Sequence, residues 1–140
     1  PYLGAYTATK AAVVALSESW AGELEEKGIH VSVLCPAFVQ TRIHESERNR
    51  PAKYQSDLAH KPDEGSFANS TKQMVENGIE VSIVGKRVVE ALEDGELYIF
   101  THPNYHFVMQ ERNAAIDAAF IKSAQSPLLE NIVNQKVEMP

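Results

Sequence analysis

Cysteine is almost absent from this chain: Cys35 stands alone in 140 residues. A single thiol excludes an internal disulfide framework and a cysteine-built zinc site. It lies in an apolar run, so a buried, reduced thiol in a cytoplasmic protein is expected. Basic charge is scarce too. The 13 Lys and Arg face 19 Asp and Glu, a formal net charge of -6 with no basic run. That composition argues against a nucleic-acid or anionic-membrane surface. No apolar run approaches the ~18 residues a membrane span needs, and no segment has the build of a signal peptide. Internal repeats and low-complexity tracts are missing as well. What remains is 44% hydrophobic and 23% charged, the ordinary make-up of one globular domain at most.

Against that plain background the stretch Tyr6-Thr7-Ala8-Thr9-Lys10 stands out, at the head of a long helical pattern. Residues four apart on a helix share a face, one turn from each other. An ammonium beside a phenol favours the ionised phenol, so such a pair can serve as a general acid–base near neutral pH. The spacing also arises by chance in many helices. The rest of the chain has to decide between the two.

From Ala5 to about Lys27 the pattern is helical. Ala8, Ala12, Leu16, Trp20 and Leu24 keep a four-residue step that predicts a buried face, opposite Glu18, Glu25 and Glu26. Gly28 supplies the stop. Residues 29–35, Ile-His-Val-Ser-Val-Leu-Cys, are β-branched and apolar and end at Pro36, which predicts a strand. His30 reads as a strand-edge residue rather than a ligand. Pro36-Ala-Phe-Val-Gln-Thr41 follows the strand's carboxyl end, where ligands bind in open parallel sheets.

Residues 42–78 are polar and weakly periodic, broken by Pro51, Pro62 and Gly65, and too long for a plain connection. A lid or binding loop is expected there, its charges at Arg42, Glu45, Glu47, Arg48 and Arg50 forming a solvated face. Ser70-Thr-Lys-Gln73 matches a capping box and predicts a short helix over 71–77. Val81, Val84, Val88 and Leu92 mark the inner face of another helix, closed by Gly95, and residues 97–101 (Leu-Tyr-Ile-Phe-Thr) read as a second strand. Strand, helix-bearing connection and strand predict a parallel pair. Pro103 is placed to open a last long helix with Val108, Ala115, Ala119 and Phe120 inside. His102 and His106 flank that start, but Pro103 between them and the want of a third ligand count against a metal site. Leu128, Leu129, Ile132 and Val133 mark a terminal helix or an oligomer contact.

Two strands are few. Buried parallel strands need helices on both faces and neighbours at their edges, and this sequence supplies neither in full. The chain also opens at Pro1 rather than methionine. Both observations lead to the expectation of the C-terminal part of a larger α/β sheet.

Tyr6-x-x-x-Lys10, the small-residue helix after it, the Gly28-Ile-His-Val strand and the Pro36–Thr41 segment together resemble the short-chain dehydrogenase/reductases, in their compact single-domain branch. The resemblance covers residues 1–101 well. It implies an α/β fold: residues 1–140 would form the C-terminal portion of one NAD(P)-binding Rossmann-like domain, a doubly wound parallel sheet, with a substrate lid at about 42–78. It implies that Tyr6 exchanges a proton with a substrate oxygen, and that Lys10 assists the phenol and holds the nicotinamide ribose. Pro36, Ala37, Val39 and Thr41 would cup the nicotinamide of NAD or NADP, Val39 through its backbone N–H and Thr41 through its hydroxyl. The family usually has glycine where this chain has Ala37. The glycine-rich pyrophosphate turn and the family's serine and asparagine have no counterpart in these residues; Ser17 and Ser19 stand too far down the helix to replace the serine.

The activity implied is interconversion of a secondary alcohol and a ketone by direct hydride transfer. Ile43, Leu58, Phe67, Met74 and Val75 with Tyr54 point either to a hydrophobic or aromatic substrate or to packing of the lid on the body, and Arg50–Tyr54 resembles members acting on bulky aryl alcohols. A homodimer or homotetramer built partly on the Tyr6 helix is also implied. The alternative, from another class, is a catalytically silent relative that keeps the fold as a binding or assembly module.

Overall fold

The computed structural model describes residues 3–54 and 67–138. They fall into two compact units, Pro1–Thr101 and His102–Pro140. The first unit holds α1 (Gly4–Glu25), β1 (Val33–Cys35), α2 (Phe67–Glu76), α3 (Val81–Glu93) and β2 (Tyr98–Phe100), with 3₁₀ segments at Ile43–Asn49 and Ala52–Tyr54. The second holds a 3₁₀ turn at Pro103–Tyr105, α4 (His106–Ala124), a second turn at Pro127–Leu129 and the single-turn α5 (Glu130–Val133).

β1 and β2 pair in parallel, with Val33 opposite Tyr98, Leu34 opposite Ile99 and Cys35 opposite Phe100. Each strand is fed by a helix through a glycine. Gly28 and Gly95 take φ of 68° and 69°, the left-handed conformation that costs other residues about 1–2 kcal/mol. The chain leaves α1 and α3 in the same manner and lays the two strands side by side. Lengths differ from expectation. Ile29–Ser32 and the outer residues Leu97 and Thr101 lie outside the ladder, because each strand extends only as far as its partner runs. Val33 N–H still donates to Leu97 carbonyl at 2.7 Å, and Ser32 hydroxyl to Glu96 carbonyl at 2.7 Å, so the approach to the ladder is tied.

Burial corrects the predicted faces. Val33, Val75, Ala91 and Ile99 form the buried apolar set among the described residues, Ile99 at 2% exposure. No residue of α1 is buried. Its better-covered side is Val14, Ser17, Ala21 and Leu24, whereas Ala8, Ala12, Leu16 and Trp20, expected inside, are exposed. The helix is apolar on more than one side, so periodicity alone does not choose a face. In α3 the inner side is Val84, Arg87, Val88 and Ala91, with Val81 and Leu92 turned out. α2 begins at Phe67, so Ser70 stands inside the helix and is not its cap. In α4 the expected inner residues Val108, Ala115, Ala119 and Phe120 are all exposed, Phe120 at 73%.

A few polar ties reinforce the first unit. Tyr98 hydroxyl donates to Glu18 Oε1 at 2.5 Å, joining α1 to β2 across 80 residues of sequence. Arg87 in α3 meets Glu96 at 2.5 Å and Glu90 at 3.3 Å. None of the described helices is long and apolar enough to cross a membrane.

Candidate active site

Tyr6 and Lys10 occupy the first turns of α1. The helix starts without a side-chain cap, and Thr7 N–H donates to Leu3 carbonyl at 2.8 Å to close the first turn. Thr9 hydroxyl turns back to Tyr6 carbonyl at 2.7 Å, so it is engaged with backbone. Lys10 Nζ lies 5.5 Å from the centroid of the Tyr6 ring, the reach of a cation–π contact. Tyr6 is 53% exposed, and no hydrogen bond among the described residues uses its hydroxyl. The helix thus presents a phenol with an ammonium beside it and leaves the oxygen open to a ligand.

The position of that pair along the helix follows from the Glu18–Tyr98 bond. Glu18 sits beside the start of the strand pair, where Tyr98 opposes Val33. The C-terminal end of α1 leads into β1 through the Gly28 turn, so moving back from Glu18 runs with the strand direction. Tyr6 lies about 18 Å in that direction at the helical rise. It therefore stands on the carboxyl side of the strands, the side from which Pro36–Thr41 departs.

That segment is held by one isolated parallel bridge, Val39 with Ile79. Ile79 N–H donates to Phe38 carbonyl at 3.0 Å, and Gln40 N–H donates to Ile79 carbonyl at 2.9 Å. In a trans peptide the N–H points opposite to the C=O. With Phe38 carbonyl turned to Ile79, the Val39 N–H faces away from the bridge and is left for another acceptor. Thr41 Oγ1 accepts the Ile43 N–H at 3.4 Å, which leaves its own O–H free to donate. Pro36 and Ala37 are exposed at the start of the segment. A backbone N–H and a hydroxyl donor two residues apart suit an amide carbonyl or a phosphate oxygen.

Beyond Thr41 the 3₁₀ segment is bound up in charge pairs. Arg42 meets Glu45 at 2.6 Å, and Arg48 Nη1 donates to Arg42 carbonyl at 2.6 Å. The Arg42 guanidinium holds the Glu45 carboxyl below the usual carboxylate range. Ile43, Tyr54 and Met74 are exposed, while Val75 is buried. Lys53 Nζ lies 4.5 Å from the Tyr54 ring centroid. Leu58, Pro62 and Gly65 lie outside the described residues, as does the side chain of Phe67. Cys35, expected buried, is partly covered at the end of β1, and that cover pushes its thiol above the ordinary value.

Gly78, just past the end of α2, is a residue of this region that the sequence pattern does not single out. Its N–H donates to Val75 carbonyl at 3.1 Å, and it sits against the Phe38–Val39 peptide. No local pattern announces that contact, because its partner is 40 residues away. The signal that could have found it is Gly78 directly before a β-branched residue, between two helices, in a chain whose first strand ends in an unpaired loop.

A family model described as short chain dehydrogenase matches residues 1–52. The "CLA biosynthesis dehydrogenase/reductase" of Lactiplantibacillus plantarum is 32% identical over 117 residues, covering 80% of this chain and 41% of that protein. The "C alpha-dehydrogenase" of a Sphingobium species is 34% identical over 113 residues, covering 81% of this chain and 36% of that protein. A crystal structure of a short-chain dehydrogenase/reductase from Burkholderia phymatum in complex with NAD superposes with a TM-score of 0.71 at 28% identity, over 97% of this chain and 46% of that one. The arrangement is a partial Rossmann-like α/β fold, a small parallel sheet with its helices. The chain belongs to the short-chain dehydrogenase/reductase family. It spans less than half the length of the curated relatives it matches.

Proposed function

We propose that the chain carries the acid–base half of a nicotinamide-dependent oxidoreductase that interconverts a secondary alcohol and a ketone. The observation that carries this is the Lys10 ammonium 5.5 Å from the Tyr6 ring, on an exposed helix head whose phenol oxygen is open. The two similar proteins named as dehydrogenases, and the solved relative holding NAD, support oxidation–reduction and a nicotinamide dinucleotide, NAD or NADP.

The residues fit such a cofactor. Val39 N–H, turned away from its bridge, and the Thr41 hydroxyl are donors of the kind a carboxamide oxygen requires, and Lys10 is a donor for ribose hydroxyls. When bound, the nicotinamide supplies the site that accepts or gives the hydride. In the oxidation direction the Tyr6 oxygen takes the proton from the substrate hydroxyl as the carbon–hydrogen bond gives up its hydride and the carbonyl forms. In reduction Tyr6 returns that proton to the carbonyl oxygen. Lys10 holds positive charge next to the phenol while the proton moves, and Val39 and Thr41 orient the ring amide.

Exposed Ile43, Tyr54 and Met74 support a hydrophobic or aromatic substrate over a small polar one. The exposed Leu16 and Trp20 on α1 support assembly as a homodimer or homotetramer, and a free Cys35 without a disulfide partner supports a cytoplasmic setting. The test is turnover by the full-length protein on a panel of aliphatic and aryl secondary alcohols and ketones, followed through the absorbance of the reduced nicotinamide with each dinucleotide. Oxidation of at least one alcohol, or reduction of its ketone, is expected. Cofactor binding without turnover of any panel member would favour a silent binding module.

A further inference from the structure

Gly78 follows α2, at a point where the chain turns toward α3. Its φ lies outside the left-handed region, so conformational freedom is not what requires glycine here. Space is. A Cβ built on Gly78 would stand 2.3 Å from Phe38 carbonyl oxygen, 2.5 Å from Phe38 carbonyl carbon and 2.8 Å from Val39 amide nitrogen. All three atoms belong to one peptide unit, and backbone cannot swing aside as a side-chain tip can. Gly22 and Gly85 form the contrast, since a Cβ on either meets nothing within 4 Å.

The same peptide is held by the next residue. Ile79 N–H donates to Phe38 carbonyl at 3.0 Å, and Gln40 N–H returns to Ile79 carbonyl at 2.9 Å. Gly78 permits the close approach that those two bonds require. The peptide unit so gripped is also the one that carries the outward Val39 N–H.

We infer that Gly78 is a positioning residue for the nicotinamide end of the cofactor: by lacking a Cβ it sets the place of the Phe38–Val39 peptide, and so of the Val39 N–H. The inference rests on the proposed role of the Pro36–Thr41 segment. An alanine methyl would push that peptide off by up to about 1 Å, a displacement on the scale that costs ~100-fold when it falls on an orienting group. The adenosine and pyrophosphate parts of the cofactor make no demand on this peptide. The loss should therefore be confined to ligands that contain nicotinamide.

The experiment compares full-length wild type, Gly78→Ala and Gly85→Ala. Each is titrated calorimetrically with the dinucleotide that wild type binds and with the matching ADP-ribose, which lacks the nicotinamide ring. Gly78→Ala should lose about tenfold or more in dinucleotide affinity and keep its ADP-ribose affinity within about twofold. Gly85→Ala should match wild type on both ligands. Equal affinity of Gly78→Ala and wild type for the dinucleotide would overturn the inference, and so would an equal loss on both ligands, which is the mark of general damage. If circular dichroism shows Gly78→Ala unfolded, Ile79→Pro replaces it, since it removes the N–H that anchors the same carbonyl. The same selective loss is expected of it, and unchanged dinucleotide affinity would overturn the inference. Failure of wild type to bind either dinucleotide would overturn the oxidoreductase reading and this inference with it.

Discussion

In the proposed site Lys10 would act both on the phenol and on a ribose, and both parts depend on the single turn that separates it from Tyr6. Lys10→Met keeps the length and apolar stem of the side chain while removing the charge. In the full-length protein it should lower kcat and raise the cofactor KM together; a change in neither would deny Lys10 its place in the site. Tyr98 tests the fold rather than the chemistry. The Glu18 carboxylate that accepts its hydrogen bond pushes the Tyr98 phenol above its ordinary value of 10.0. The folded state thus holds the neutral phenol more firmly than the unfolded chain does. Its contribution is complete below pH ~10 and is lost as pH rises through the raised folded value. Because Tyr98 is exposed, the effect is small. Urea midpoints measured on either side of pH ~10 should fall less steeply for Tyr98→Phe than for wild type. Equal steepness would mean that the Glu18 tie does not act on stability.

At the scale of elements, the two helix-to-strand turns are the clearest case of sequence written in local physics. Gly28 and Gly95 each close a helix in the left-handed conformation and launch a strand, and both were legible as stops before a β-branched or aromatic run. Replacing either with alanine should cost about 1 kcal/mol in urea unfolding, whereas Gly85→Ala, in mid-helix and in open space, should gain about 0.5–1 kcal/mol. A neutral Gly28→Ala would contradict the turn's role. What the sequence did not disclose is which side of each helix faces inward. α1 offers Ala8, Leu16 and Trp20 on one side and Val14, Ala21 and Leu24 on another, and only the partner, the sheet, makes the choice. The start of α2 was misplaced for a similar reason: Ser70 resembles a cap locally, but the helix continues past it to Phe67. Of the proposed site residues, Tyr6 and Lys10 stand out by their helical spacing, while Pro36, Ala37, Val39 and Thr41 are named through the family resemblance. The Val39–Ile79 bridge and the clearance at Gly78 follow from neither, because both depend on a contact between distant stretches.

Taken whole, the described residues bury few apolar side chains and expose many, among them Leu16, Trp20, Phe107, Phe120 and Leu128, the last at 91%. Apolar surface of this kind is what further protein segments or a partner subunit would cover in the proposed assembly. The two-stranded sheet is likewise all edge, and no glycine-rich phosphate turn occurs in these 140 residues. The 140-residue stretch expressed by itself should therefore show no dehydrogenase turnover; robust activity would contradict the view that it holds only half of a site. Assembly is tested at the same scale. Trp20→Asp in the full-length protein should shift sedimentation toward smaller species with helix content retained, and an unchanged sedimentation profile would remove α1 from the interface. The central claim is that Tyr6 moves the proton, and the most direct measurement is full-length Tyr6→Phe, which removes one oxygen and leaves the ring under Lys10. In this variant kcat is expected to fall by about 10²–10⁴-fold while dinucleotide affinity stays within about twofold of wild type; turnover by Tyr6→Phe at the wild-type rate would rule out Tyr6 as the proton carrier.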